Sequence, residues 1–142
     1  MILMNYYQVK LTENLSAYKK AFLWLALVWT TIVTVFCLIN FNELPSVKIN
    51  NFDKFGHITF HFGMTTLWFL YYKFQKGNTS RRSLIKAFLF SFSYGVTIEL
   101  IQTFFTNTRS GDVLDVVANV TGSILAMLTM ILIMKRNNAK TL

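Results

Sequence analysis

The sequence predicts an all-α membrane protein, a bundle of four transmembrane helices with both termini on the cytoplasmic side. Three observations carry this expectation. The chain has 142 residues, 54% of them hydrophobic, one proline and only 14% charged, with a mean hydropathy of +0.43, whereas soluble domains carry about 25% charged residues. Four stretches supply the ~20 predominantly apolar residues that a helix needs to cross a ~30 Å hydrocarbon core. The basic residues collect on one side of those stretches. A single membrane domain over residues 1–142 is expected.

The first span, 21–39, is uninterrupted by charge, follows Lys19 and Lys20, and ends before Asn40. It is longer than the core of a secretory signal and no small-x-small cleavage site follows it, so it is read as retained. Cys37, the only cysteine, cannot form an internal disulfide and sits among Val35, Phe36 and Leu38, where packing is its expected role. The second span, 53–72, reaches full length only if Asp53, Lys54 and His57 occupy its first turns, near one interface. The third, 84–105, has Lys86 near its start and Glu99 inside it; the fourth, 112–134, has Asp112, Asp115 and Asn119 near its start. Trp24, Trp68, Tyr71 and Tyr72 supply interfacial aromatics, while Trp29 lies too deep for that belt.

With four spans, one side receives Lys10, Lys19, Lys20, Lys73, Lys76, Arg81, Arg82, Lys86, Lys135, Arg136 and Lys140, which is 11 of the 14 basic residues; the other receives Lys48, Lys54 and Arg109. The positive-inside rule then makes both termini and the 73–83 loop cytoplasmic. The net charge of +8 is thereby a topology signal, and nucleic acid is not an expected partner. The bilayer is, with anionic lipid heads at the basic loop.

Four of the six acidic residues, Asp53, Glu99, Asp112 and Asp115, lie in or at the edge of apolar runs. A charge at membrane depth costs at least ~2.5 kcal/mol, so such residues pair, face a cavity or do chemistry. The topology sends all four to the outer leaflet. Asp53, His57 and His61 are four apart, Glu99 and Gln102 three apart, and Asp112, Asp115, Asn119 and Gly122 step by three, four and three, so each helix carries one polar stripe. Burying three stripes against one another would form an outward-facing pocket.

Several of these residues also have a purely structural reading, and both readings stay open. Asp112 before Asp115 fits a helix cap followed by a first-turn acid, and Asp53 can cap the second span or pair with Lys54. Gly122 fits close helix packing, and His61 a hydrogen bond to a neighbouring helix. Glu99 lies too far from a helix end to be a cap, which makes it the leading functional candidate. His57, Asp53, Glu99, Asp112 and Asp115 are competent metal ligands, yet no HExxH, CxxC or other ligand spacing occurs and Lys54 and Arg109 stand among the acids. The sequence assigns no metal and names no cofactor. GxSxG and P-loop signatures are also missing.

The run Asp53-Lys54-Phe55-Gly56-His57, then Glu99-Leu100-Ile101-Gln102, then Arg109-x-x-Asp112-x-x-Asp115-x-x-x-Asn119-x-x-Gly122 resembles the VanZ-like family of small bacterial membrane proteins. The matching motifs cover 53–126, roughly half of the chain. The resemblance implies a multi-pass protein of the bacterial plasma membrane and cell envelope, in a family whose namesake lowers susceptibility to teicoplanin-type lipoglycopeptide antibiotics. It implies no settled catalytic mechanism. Two departures stand out: His61 where the family often has tyrosine, and Asn107-Thr108 where it often has a Pro-Gly turn.

The expected function is an envelope protein whose polar pocket binds or modifies an anionic lipid or lipid-linked wall precursor. Glu99 and His57 are the candidate acid and base, with Asp112 and Asp115 orienting them. Arg109 and Lys54 would hold phosphate, and Asp53, Gln102 and Asn119 complete the binding set. A non-catalytic scaffold is the alternative reading, and a small transporter is less favoured because no inverted repeat or interrupted helix pair is visible. Oligomerisation is left open.

Overall fold

The computed structural model describes residues 2–38, 52–75, 78–105 and 112–139. Four helices account for nearly all of them: α1 (Ile2–Leu38), α2 (Phe52–Lys73), α3 (Ser80–Phe105) and α4 (Val113–Ala139). No strand occurs among the described residues. Arg109, Lys48 and the 106–111 connection lie outside them.

The expected spans survive with longer ends. α1 begins 19 residues before the expected start at 21, because residues 2–20 contain neither proline nor glycine to stop the helix. Its 37 residues extend roughly 55 Å at 1.5 Å each, well beyond a ~30 Å core. α3 starts at Ser80 rather than 84, where Thr79 accepts the Arg82 backbone N–H at 3.3 Å on its hydroxyl and acts as the cap.

Three helices contain stretches long and apolar enough to cross a membrane: Asn14–Leu38, Ser80–Phe104 and Val113–Ala139. α2 is long enough at 22 residues but is not among the three, and Asp53, Lys54, His57 and His61 interrupt its apolar sequence. Its position explains this composition. α2 packs against α1, α3 and α4, whereas α1 and α4 do not pack on each other among the described residues. A helix shielded on several sides needs little lipid-facing surface and can carry polar groups toward protein partners.

Beside an apolar core that includes Val33, Met64 and Phe69, the bundle buries many polar groups and exposes many large apolar ones. His57, His61, Thr65, Ser91, Glu99, Gln102, Asn119 and Ser123 are buried, while Trp24, Leu25, Val28, Phe104, Val117 and Leu132 are exposed. Water would penalise that arrangement on both counts, and lipid would favour it. The chain is therefore a membrane protein by its surface as well as by its helix lengths.

Close approach of α2 and α4 rests on small residues. Ala118, Gly122 and Ala126, spaced by four, are all buried along α4. A methyl group added at Gly122 would overlap the Ile58 carbonyl oxygen of α2. On the opposite side, the Trp29 indole of α1 donates to the Phe60 carbonyl at 3.0 Å and lies over Gly63, where a methyl would come within 2.7 Å of the ring. Trp29 is thus a packing residue.

At the bundle end where α2 finishes and α3 begins, Trp68 packs against Tyr71, Tyr72 and Phe90 with ring centroids 4.2–5.6 Å apart. Lys86 reaches along this end to donate to Asn78 Oδ1 at 3.0 Å. Its charge therefore sits at the helix terminus rather than in the span, as a snorkelling lysine should.

Candidate functional site

The opposite end of the bundle gathers the start of α2, the last turns of α3 and the start of α4. Helical alternation brings these ends together, and the side chains of all three polar stripes touch.

Lys54 is the hub. Its ammonium donates to Asp112 Oδ2 and Asp115 Oδ1, both at 3.1 Å, and lies 3.5 Å from Asp53 Oδ2. Asp112 also caps α4: its Oδ1 accepts the Leu114 N–H at 2.8 Å, and its carbonyl accepts the Asp115 N–H at 3.0 Å. The cap and the ion pair use different oxygens, so the two roles coexist. The Leu114 N–H first, and Lys54 second, hold the Asp112 carboxyl below the usual carboxylate range.

His57 is 5% exposed and joins two helices. Its Nδ1 meets Asn119 Oδ1 at 3.0 Å, and its Nε2 lies 3.6 Å from Asp115 Oδ2. The imidazole thus spans from Asn119 at one ring nitrogen to the Asp115 carboxylate at the other.

Glu99 is 6% exposed. Its Oε2 accepts the Asp112 backbone N–H at 3.1 Å, but its Oε1 is buried without a hydrogen-bond partner among the described residues. Leaving a buried polar atom unpaired costs about 1–3 kcal/mol, and more for a charge. Ligand atoms of Glu99, His57 and Asp115 all lie within 4.8 Å of one another. Three helices thus converge on one imidazole and two carboxylates.

Gln102, expected in the binding set, turns elsewhere. Its amide donates to the Cys37 carbonyl in the last turn of α1 at 2.7 Å. That bond satisfies a carbonyl that the helix itself leaves open, and it ties α3 to α1. Arg109, expected to hold phosphate, lies outside the described residues.

One turn deeper, a second polar layer connects α2, α3 and α4. His61 Nδ1 contacts Ser91 Oγ at 2.8 Å, Ser91 Oγ contacts Ser123 Oγ at 2.9 Å, and Ser123 donates to the Asn119 carbonyl at 3.0 Å. His61 is 1% exposed. The histidine in the position often held by tyrosine therefore binds neighbouring helices. Gly95 makes the convergence possible, since a methyl there would come within 2.9 Å of both Asn119 Nδ2 and His61 Cε1. Ser91, Gly95 and Ser123 were not among the expected residues. The signal was available in α3, where Ser91, Gly95 and Glu99 are each four apart.

Beside the cluster, a groove of about 420 Å³ runs between α2 and α4, lined by Phe55, Ile58, Leu114, Val117, Ala118 and Thr121, with Lys54 in its wall. An open apolar groove thus adjoins the polar hub.

The family model described as VanZ/LLP1 matches residues 3–134, nearly the whole chain. The chain belongs to this family. No curated protein and no solved structure matches it.

Proposed function

We propose that this protein is a multi-pass plasma-membrane protein of the bacterial envelope that binds a lipid or lipid-linked precursor at the outer end of its bundle. The observation that carries the reading is the α2–α4 groove, whose apolar wall suits an acyl or prenyl chain and whose Lys54 belongs to the polar cluster. A lipid chain lying there would place its head beside His57, Glu99 and Asp115. The positive-inside count, 11 basic residues against 3, supports cytoplasmic termini and an outer-leaflet cluster. α2 completes four spans as the shielded central helix.

Lys54 is already engaged by Asp53, Asp112 and Asp115, so it has little charge left for an anionic head. Arg109, three residues before Asp112, is the next cation in the sequence suited to phosphate. The imidazole and carboxylates suit proton transfer in hydrolysis or group transfer at a phosphate or acyl link. The scaffold reading fits the deeper His61–Ser91–Ser123 layer. It fits the outer layer poorly, because an interhelical lock should satisfy its own polar atoms and Glu99 Oε1 is unpaired.

The test uses two substitutions, Glu99→Gln in the cluster and Thr121→Trp in the groove. Each is scored in the host for membrane level, for lipid retained by the purified protein in native mass spectrometry, and for envelope phenotypes including teicoplanin susceptibility. The expected result is normal protein level, loss of retained lipid in Thr121→Trp, and an altered phenotype in both. Wild-type protein that retains no lipid, or a Thr121→Trp variant that retains as much as wild type, overturns the lipid reading. Loss of the protein in Glu99→Gln alone assigns the cluster to structure.

A further inference from the structure

We propose that His57, Glu99 and Asp115 form a site for one divalent transition-metal ion of the Zn²⁺ or Mn²⁺ class. Each ligand comes from a different helix, α2, α3 and α4, and their ligand atoms lie within 4.8 Å of one another. Two ligands on one ion bonded at ~2.0–2.2 Å stand roughly 3–4 Å apart, so a small inward rotation of the side chains would bring all three to bonding distance and leave a position open on the ion.

An acidic cluster alone would not justify this assignment. The independent observation is the Glu99 carboxylate, 6% exposed, whose Oε1 is buried with no hydrogen-bond partner. An ion would satisfy that atom. His57 presents a second sign: its Nδ1 is held by Asn119 Oδ1 at 3.0 Å, while its Nε2 stands 3.6 Å from Asp115 Oδ2, a separation too long for a good hydrogen bond. Metal-bound histidines are typically held in this way, by a hydrogen bond from the nitrogen that does not ligate.

All three ligands have such a support. Asn119 holds His57, Lys54 bonds Asp115 Oδ1 at 3.1 Å, and the Asp112 backbone N–H bonds Glu99 Oε2 at 3.1 Å. Each support comes from a helix other than the ligand's own or from the turn that opens α4. Two carboxylates balance the charge of a divalent ion, which matters where water is scarce. One imidazole among the oxygens favours Zn²⁺ or Mn²⁺ over Mg²⁺ and Ca²⁺. Because the ligands are distributed over three helices, no local sequence spacing announces the site.

The ion would also serve the proposed lipid head. Lys54 is outnumbered by the carboxylates of Asp53, Asp112 and Asp115, and a bound divalent ion would offset much of the remaining negative charge where phosphate would approach. That link rests on the lipid reading; the site itself does not.

The experiment is metal uptake by the full-length chain, purified in detergent without chelator and titrated with Zn²⁺ or Mn²⁺, followed by elemental mass spectrometry and thermal unfolding. The expected result is about one ion per chain, as one site requires, and a melting temperature raised by the ion and restored by EDTA. His57→Ala and Asp115→Asn should abolish both effects. Asn119→Ala, which removes only the support of His57, should weaken uptake by roughly 10–100-fold. Monodisperse wild-type protein that takes up neither ion overturns the proposal without reference to any variant, and so does uptake that persists in His57→Ala. Neither readout involves lipid, so a failed lipid reading leaves this result standing.

Discussion

Gly122→Leu should remove most of the folded protein from the membrane, and Gly122→Ala should already lower its heat stability. The nearest atoms to an added methyl are the Ile58 carbonyl oxygen, carbon and Cα, the latter two at 2.9 and 3.0 Å. All three are backbone of α2, so no rotamer change can relieve the overlap, and the helices must separate. Overpacking a core ordinarily costs about 1–3 kcal/mol, and here the expected cost is at or above the upper end. Separation would also disturb contacts elsewhere, because α2 carries the packing of all three other helices. Membrane level and heat-induced aggregation in detergent are the measurements, with the exposed Leu125→Ala as a control. Wild-type stability in Gly122→Leu would show that α2 and α4 are not so closely apposed.

Lys54→Met should be the most damaging single change in the polar cluster. It leaves Asp53, Asp112 and Asp115 without the cation that lies within 3.5 Å of each. Lys54 and Asp112 are partly exposed, which limits the penalty through solvent screening. Asp115 is more enclosed, and also lies against buried His57. The expected outcome is a roughly tenfold drop in membrane level, the result of unpaired like charges at a membrane interface. Adding Asp112→Asn and Asp115→Asn to Lys54→Met should restore most of the level, because only the more exposed Asp53 is then left without a counter-charge. Lys54→Arg should retain charge and level but alter the geometry at Asp112 and Asp115. Equal damage in the triple variant and in Lys54→Met would mean that Lys54 acts through packing of its stem instead of through charge.

The three polar stripes were legible in the chain because helical periodicity is local. Asp53, His57 and His61 recur every four residues, and a costly carboxylate at Glu99 stands out against an apolar run. Their convergence at one end of the bundle followed from alternating helix direction alone, and the structure places them there. The close-packing role of Gly122 was similarly open to a reader of sequence, since small residues spaced by four are a packing signature in membranes.

Composition and periodicity by themselves determined the all-helical membrane class, the helix positions and which residues would be expensive to bury. These properties depend on each segment's own free energy in lipid, which a short window of sequence contains. Only the tertiary structure decided how the polar groups pair: Gln102 with α1, His61 with Ser91, Lys54 with Asp112 and Asp115 at the start of α4 as well as Asp53 on its own helix, and Glu99 Oε1 with no partner among the described residues. It also decided that α2, with its two histidines and the Asp53–Lys54 pair, is the helix that packs against all three others. Pairing depends on which faces of separate helices meet, and that is set by the fit of distant surfaces such as Gly122 against Ile58 and Gly95 against His61 and Asn119. Such contacts join residues far apart in the chain, so no local pattern encodes them.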